Sequence, residues 1–170
     1  MSADKTKPVM NIADVPLMDL EHGDAFRAKL GRIAPLIGST GIGCMLTVVP
    51  AGKKAFPYHV HHVTNELFVI LEGEGEYRFG DETYPIKAGD ICAAPVGGPE
   101  KAHQIINTGS GELKYLGISD RPTGDAEVVE YPDSGKFAVV SQTGEGGPMN
   151  ARFRYIGRME TNLDYWDGET

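Results

Sequence analysis

Long apolar runs are missing from this sequence of 170 residues, and basic residues are scarce. The longest uninterrupted apolar run covers residues 67–71, whereas a membrane-spanning helix needs about 20 apolar residues. Lys and Arg number 16 against 24 Asp and Glu, which gives a formal net charge of −8. Because an acidic surface repels phosphate backbones, we expect neither a membrane nor a nucleic-acid partner.

Cysteine is also rare. The chain has two cysteines, Cys44 and Cys92, which do not form a CxxC motif. The first ten residues, MSADKTKPVM, lack the apolar stretch of a signal peptide. These features favour a cytoplasmic protein with two reduced thiols, and a single disulfide between them is the alternative.

Turn-forming residues, in contrast, are abundant, with 22 glycines and 11 prolines, which argues against an all-helical bundle. From Gly41 onward, short runs typical of strands alternate with turn residues, which predicts an all-β sandwich or barrel. Gly80 and Asp81 fit a tight hairpin between two of these runs. The predicted strands cover residues 42–49, 58–62, 66–71, 74–79, 83–86, 90–94, 103–107 and 113–119.

Both ends of the chain lie outside this regular pattern. We expect an N-terminal arm over residues 1–24, a barrel over residues 25–120, and a C-terminal extension over residues 121–170 that packs on the barrel. Residues 24–30 fit either a helical turn or a short strand. Within the extension, the pattern predicts two strands and a Gly-rich loop, at residues 125–130, 137–141 and 142–149.

Histidines and one glutamate recur at spacings that suit a metal. His59 and His61 are two residues apart, so on a strand both imidazoles point to one face. Glu66 follows five residues later, and this odd spacing requires a bend or bulge over residues 62–65 to return the carboxylate to that face. His103 lies on a later strand. Three imidazoles and one carboxylate can bind a divalent transition metal, although each is also an ordinary surface or core residue type.

The neighbouring His62 has the opposite strand parity from His59 and His61. We therefore expect His62 to be exposed, or to support a ligand from behind, rather than to bind a metal. His22 lies in a loop-like segment, and we expect it to be solvated.

Two segments resemble the two sequence motifs of the cupin superfamily. From Gly52 to Gly73 the order is Gly, six residues, His-x-His, four residues, Glu, six residues and Gly. From Gly89 to Asn107 it is Gly, five residues, Pro-x-Gly, five residues, His, three residues and Asn. Cupins commonly have two residues where this chain has five before its histidine. The chain is similar to the small single-domain bacterial cupins of the conserved-barrel type.

This resemblance implies a fold and a cofactor. The fold is an all-β double-stranded β-helix, the jelly-roll barrel of cupins, here with N- and C-terminal extensions. The implied cofactor is one divalent transition metal ion, Fe, Mn, Ni or Zn. The implied ligands are His59, His61, Glu66 and His103. The resemblance also implies a homodimer, because cupins commonly pair through their sheet edges.

Side chains near the implied ligands are candidates to line the barrel cavity. Phe68 and Ile70 share the strand parity of Glu66. Tyr77, Arg78 and Cys92 lie on the following strands. If Arg78 faces inward, it can pair with a carboxylate or a phosphate, and a solvated surface arginine is the alternative.

The function that the resemblance implies is a metal-binding cupin that acts on a small molecule in the barrel cavity. By analogy with cupin enzymes, we expect a sugar-phosphate isomerase-like activity or a dioxygenase activity. The alternative is a non-enzymatic cupin that binds or senses a small ligand.

Overall fold

The computed structural model describes residues 6–120, 126–141, 151 and 153–169, and these residues form β-strands joined by loops and short 3-10 helices. Among them, no helix is both long and apolar enough to span a membrane. The strands are β1 (Met18–His22), β2 (Phe26–Arg32), β3 (Ile42–Val49), β4 (Val60–His61), β5 (Glu66–Glu72), β6 (Glu74–Phe79), β7 (Glu82–Lys87), β8 (Ile91–Ala94), β9 (His103–Ile106), β10 (Leu113–Asp120), β11 (Ala126–Tyr131), β12 (Lys136–Ser141) and β13 (Arg154–Arg158). The 3-10 helices cover Ile12–Asp14, Ala34–Ile37, Pro99–Lys101, Pro132–Ser134 and Met159–Thr161.

The strands form three antiparallel sheets, ordered β1-β2-β3-β10-β5-β8, β7-β6-β9 and β13-β12-β11-β4. Along the chain, the barrel strands cross repeatedly from the six-stranded sheet to the opposite side and back. Strands β3, β5, β8 and β10 lie in that sheet, whereas β4, β6, β7 and β9 lie opposite it. This winding is a double-stranded β-helix, so the predicted all-β jelly-roll barrel is confirmed.

All eight strands predicted between residues 42 and 119 are present, most with bounds shifted by one or two residues. The ambiguous residues 24–30 contribute to strand β2, which pairs with β3. Strands β1 and β13 were not predicted from the sequence, because both are edge strands with nearly every residue exposed and therefore show no buried face. The predicted loop at residues 142–149 lies outside the described residues.

Two glycines make turns that other residues would strain. Gly80 closes the predicted hairpin between β6 and β7 with a φ of 56°, and Phe79 pairs with Glu82 across it. Gly73 has a φ of 83°, and an added Cβ would lie 2.3 Å from the carbonyl oxygen of Glu112. Glycine therefore allows the barrel backbone to pack closely at this position of the first motif.

The barrel interior is mostly apolar. Its main cluster of buried residues consists of Ala28, Val49, Ala55, Phe68, Ile70, Tyr77, Ile86, Cys92, Ala94, Ile105, Leu113 and Tyr115. Asn107, the last residue of the second motif, is fully buried. Its amide nitrogen donates to the carbonyls of Val49 and Gly111, and its amide oxygen accepts from the backbone of Gly109. These bonds join strand β3 to the turn between β9 and β10.

Arg78 joins the C-terminal sheet to the barrel. Its guanidinium lies 3.6 Å from the centroid of the Tyr58 ring and donates to both carboxylate oxygens of Asp133, at 2.8 and 3.0 Å. Asp133 lies in the 3-10 helix that follows β11. A bidentate ion pair combined with a cation–π contact links segments that are distant in sequence.

We expect Arg78→Met to lower the free energy of unfolding by about 0.5–1 kcal/mol, because both interactions are partly exposed to solvent. The matched control is Lys114→Met, which breaks ion pairs with Glu72 and Glu112 on the barrel surface but no bidentate or cation–π contact. Urea denaturation should show the smaller change for the control. Equal effects of the two substitutions would contradict the role given to Arg78.

Candidate metal centre and cavity

Backbone pairing places His59 beside His103. The amide of His59 donates to the carbonyl of His103 over 3.1 Å, and the amide of His103 donates back over 2.8 Å. The centroids of their rings are 4.5 Å apart. His61 follows in β4, with its ring centroid 5.1 Å from that of His59, while Val60 between them is fully buried among Tyr58 and other apolar side chains. As predicted, the imidazoles of His59 and His61 lie on the same side of the strand, and Val60 lies on the other side.

The side chain of Glu66 lies beside the histidines because the chain bends between β4 and β5. Strand β4 ends at His61 and β5 begins at Glu66, so residues 62–65 lie outside both strands. The backbone and side-chain nitrogens of Asn65 donate to the two carboxylate oxygens of Asp120, each over 2.8 Å. The odd spacing in the sequence is therefore absorbed by a bend, as predicted.

All three imidazoles surround one oxygen of Glu66. Its Oε2 lies 3.8 Å from Nε2 of His59, 3.3 Å from Nε2 of His61 and 3.2 Å from Nε2 of His103. Ligand atoms of His59, His61 and Glu66 all lie within 4.8 Å of one another. The structure thus brings the four implied ligands together at one end of the cavity.

The spacing and chemistry of these atoms fit a transition metal ion. Two ligands about 2.1 Å from a common ion are roughly 3.0–3.4 Å apart in tetrahedral or octahedral geometry, close to the separations around Glu66. Imidazole nitrogens with one carboxylate oxygen suit Fe, Mn, Ni or Zn. The Nδ1 of His59 lies 2.8 Å from the carbonyl oxygen of Pro57, so donation from that nitrogen leaves Nε2 free to bind.

Burial and mutual contact shift the pKa values in this cluster in opposite directions. Burial, together with the nearby His103 and His61, lowers the pKa of His59 to about 4. Burial also acts to lower the pKa of His61, but the carboxylates of Glu127 and Glu66 outweigh it and raise this pKa to about 9. Burial acts to raise the pKa of Glu66, yet hydrogen bonding to His103 and His61 holds it well below its usual range. In the metal-free protein at neutral pH, His61 is therefore charged and His59 is neutral.

These shifts predict that the metal-free protein is most stable near pH 6.5, the ordinary imidazole pKa. Between pH 6.5 and 5 the unfolded chain binds a proton at His59 that the folded chain does not, which lowers stability by about 2 kcal/mol. Between pH 6.5 and 9 the folded chain loses the stabilising proton on His61, which lowers stability by about 3 kcal/mol.

Calorimetry of the metal-free protein across this pH range measures both changes. His59→Gln should remove the acid-side loss and His61→Gln the alkaline-side loss. A stability that is flat or changes in one direction only would contradict the assigned charges.

A cavity of about 380 Å³ opens beside the histidines. Its described lining is mostly apolar and comes from the six-stranded sheet, from the sheet that contains β4, β11 and β12, and from the loops beside them. The apolar lining residues include Met45, Phe56, Phe68, Val129, Ala138 and Val140. Among the described residues that line it, Arg32 is the one Lys or Arg side chain, whereas Glu66, Asp120 and Glu127 are carboxylates.

The five candidate cavity residues have separate locations. Phe68 lines the cavity. Ile70, Tyr77 and Cys92 lie with Phe68 in the main buried cluster but are not among the residues that line the cavity. Arg78 faces away from the cavity toward Asp133, as described above. The Cys92 and Cys44 thiols are both free, and Cys44 also lines the cavity.

Residues from the C-terminal extension complete the site, and the sequence analysis did not assign them. Strand β11 pairs with β4, so that Val129 lies opposite His61. Glu127, Val129 and Tyr131 of β11 all line the cavity, and the ring of Tyr131 stacks on that of His59 with centroids 6.2 Å apart. Their common strand parity was visible in the sequence, but the partner strand of β11 was not.

Comparison with known proteins places this arrangement in a family. Residues 45–119 match the sequence profile of the cupin domain. An uncharacterized protein of Methanocaldococcus jannaschii is 30% identical over 129 residues, which are 75% of this chain and 91% of that protein.

Two further similarities cover only parts of the related proteins. Quercetin 2,3-dioxygenase of Bacillus subtilis is 34% identical over 85 residues, which are 47% of this chain and 25% of that enzyme. The oxalate-binding protein of Thermotoga maritima is 38% identical over 60 residues, which are 35% of this chain and 47% of that protein. The similarity to these two relatives thus spans less than half of either.

A solved structure shares the whole fold. The sugar phosphate isomerase from Silicibacter pomeroyi superposes with a TM-score of 0.74, over 94% of this chain and 98% of that one, at 18% identity. This likeness extends beyond the barrel into the terminal segments of the chain. At this level of identity it establishes the fold.

Proposed function

The chain belongs to the cupin superfamily, and from that premise we propose that it is a transition-metal-dependent dioxygenase of a small, largely apolar molecule that chelates through two oxygens. The observation that carries this proposal is the apolar cavity that adjoins the cluster of His59, His61 and Glu66, with His103 in contact with Glu66. The metal donors lie at one end of this cavity, where a substrate with polar oxygens and an apolar body can be held in one orientation.

We propose His59, His61, Glu66 and His103 as the metal ligands. When bound, the ion supplies Lewis acidity toward the substrate oxygens and a redox centre for dioxygen, both atoms of which enter the product. The chain would contribute four ligands, and the other coordination positions of the ion would be left to water or substrate. Its apolar walls, with Phe68 among them, exclude water from the substrate.

The charges in the cavity favour this substrate class over a sugar phosphate. A phosphate dianion is normally held by several cationic groups or backbone amides, and a sugar body by many hydrogen-bonding side chains. The described cavity lining offers one arginine, Arg32, with three carboxylates and mostly apolar walls. The partial similarity to quercetin 2,3-dioxygenase supports the same choice.

The proposal is tested by reconstituting the metal-free protein separately with Fe²⁺, Mn²⁺, Ni²⁺ and Zn²⁺. Each form is incubated with catechols, flavonols, β-diketones and sugar phosphates. We expect oxygen uptake with at least one enol or catechol substrate, and both atoms of labelled dioxygen in the product. His103→Ala is the control that should abolish turnover while leaving the cavity walls in place.

Two outcomes would overturn this assignment. Interconversion of a sugar phosphate without oxygen uptake would identify an isomerase. Tight binding across the panel with no product in any metal form would identify a ligand-binding cupin.

We also propose that the protein is a homodimer. The edge strands of the six-stranded sheet are β1 and β8, and they expose Met18 and Ile91 to 64% and 66%. Uncovered edges with apolar side chains favour association. Light scattering at micromolar concentration should give twice the chain mass of 18.3 kDa. A strict monomer would contradict this expectation.

A further inference from the structure

Glu127 is a buried carboxylate outside the segment that matches the cupin profile. It lies on β11, is 4% exposed, and lines the cavity beside the histidines. A buried carboxylate is unfavourable unless other groups satisfy its charge, so its partners indicate its role.

One carboxylate oxygen of Glu127 accepts two hydrogen bonds from the bend that precedes Glu66. Oε1 accepts the backbone N–H of His62 over 3.1 Å and that of Val63 over 3.2 Å. These bonds fix the position and direction of the carboxylate. The other oxygen, Oε2, is buried and has no hydrogen bond within the described residues.

This unpaired oxygen of Glu127 lies near another buried polar atom that has no hydrogen bond within the described residues. Nδ1 of His61 is buried, also lacks a hydrogen bond within the described residues, and lies 3.6 Å from Oε2 of Glu127. The opposite nitrogen of the same ring, Nε2, lies 3.3 Å from Glu66. The imidazole of His61 therefore lies between two carboxylates, one on each side.

We propose that Glu127 is a positioning residue that accepts a hydrogen bond from Nδ1 of His61 and so directs Nε2 of His61 to the metal. This inference rests on the proposed metal site. The two unpaired atoms are 3.6 Å apart, slightly more than a hydrogen bond, so the bond requires a small displacement of either side chain. A carboxylate in this role fixes the tautomer of the histidine and increases the basicity of the nitrogen that binds the metal.

The comparison with His59 shows what is particular to Glu127. The Nδ1 of His59 faces a neutral backbone carbonyl at 2.8 Å, which any residue at position 57 would supply. His61 has a charged side chain in the equivalent place, and a strand of the C-terminal extension provides it. The extension therefore contributes to metal affinity and does more than cover the barrel.

The test measures Zn²⁺ affinity by competition with a chelator for the wild type and for Glu127→Gln. The amide can still accept hydrogen bonds through one oxygen, but it places an NH2 group against Nδ1, which favours the tautomer whose Nε2 carries the proton. We expect the intrinsic affinity of Glu127→Gln, corrected for the protons that metal binding displaces from each protein, to fall about 10- to 100-fold. The matched control is Glu130→Gln, on the same strand, which removes a carboxylate 2.6 Å from Nε2 of His62 and should change affinity less than twofold.

Nitrogen-15 NMR of the Zn²⁺-loaded wild type provides a readout that needs no variant. His61 should carry a proton on Nδ1 that exchanges slowly with solvent, and Nε2 should show the shift of a metal ligand. Binding through Nδ1, or an Nδ1 proton that exchanges freely, would overturn the role of Glu127, as would an unchanged affinity in Glu127→Gln. Failure of the wild type to bind any of the four metals would instead overturn the proposed function.

Discussion

Substituting Glu66→Gln or His103→Ala is expected to lower metal affinity by at least about 100-fold, so that the purified variants hold little metal. The Oε2 of Glu66 lies within 3.2–3.8 Å of all three imidazole Nε2 atoms and is the common neighbour of the cluster. An amide is a much weaker ligand than a carboxylate, and it also removes the negative charge that offsets the charge of the ion. Elemental analysis after purification and chelator competition measure the change.

His62→Ala is the matched control for these variants. The imidazole of His62 faces away from the cluster, is 39% exposed, and contacts Glu130 over 2.6 Å. Its replacement should leave metal content at the wild-type level. Equal loss of metal in His62→Ala would contradict the assignment of strand faces on which the proposed ligand set depends.

Metal affinity is expected to weaken about 100-fold between pH 8 and pH 6. In the metal-free protein the pKa of His61 is raised to about 9, so the ion must displace one proton throughout this range. The pKa of His59 is lowered to about 4, so His59 is already neutral in this range and does not add to the pH dependence of metal affinity. One displaced proton makes the affinity fall about tenfold per pH unit.

Calorimetry in two buffers with different ionisation enthalpies checks this expectation directly. At pH 7.5 metal binding should release about one proton from His61. An ordinary imidazole pKa near ~6.5 would instead give almost no release at that pH and an affinity that is flat above pH 7. A flat profile would show that the two carboxylates around His61 do not hold its proton.

Much of the barrel was predictable because its strands carry local signals. The alternation in residues 66–71 predicted that Glu66 and Phe68 share a face, and both line the cavity. The odd spacing between His61 and Glu66 required a bend, and the structure has one over residues 62–65. These features depend on strand periodicity within short segments, which a sequence displays directly.

The remaining features depend on contacts between distant segments. Arg78 was a candidate for the cavity, but its position is set by Asp133 and Tyr58, and neither is near it in sequence. Glu127 meets His61 because β11 pairs with β4, a pairing between strands more than 60 residues apart. Alternation identifies the faces of a strand, but it does not identify the strand beside it.

The central claim is that three histidines and one glutamate hold a single transition metal at the end of an apolar cavity. Anomalous diffraction from a crystal loaded with Mn²⁺ or Zn²⁺ tests this most directly. We expect one peak, about 2.0–2.3 Å from Nε2 of His59, His61 and His103 and from a carboxylate oxygen of Glu66. No peak at this position, or a peak at His62 and Glu130 instead, would contradict it.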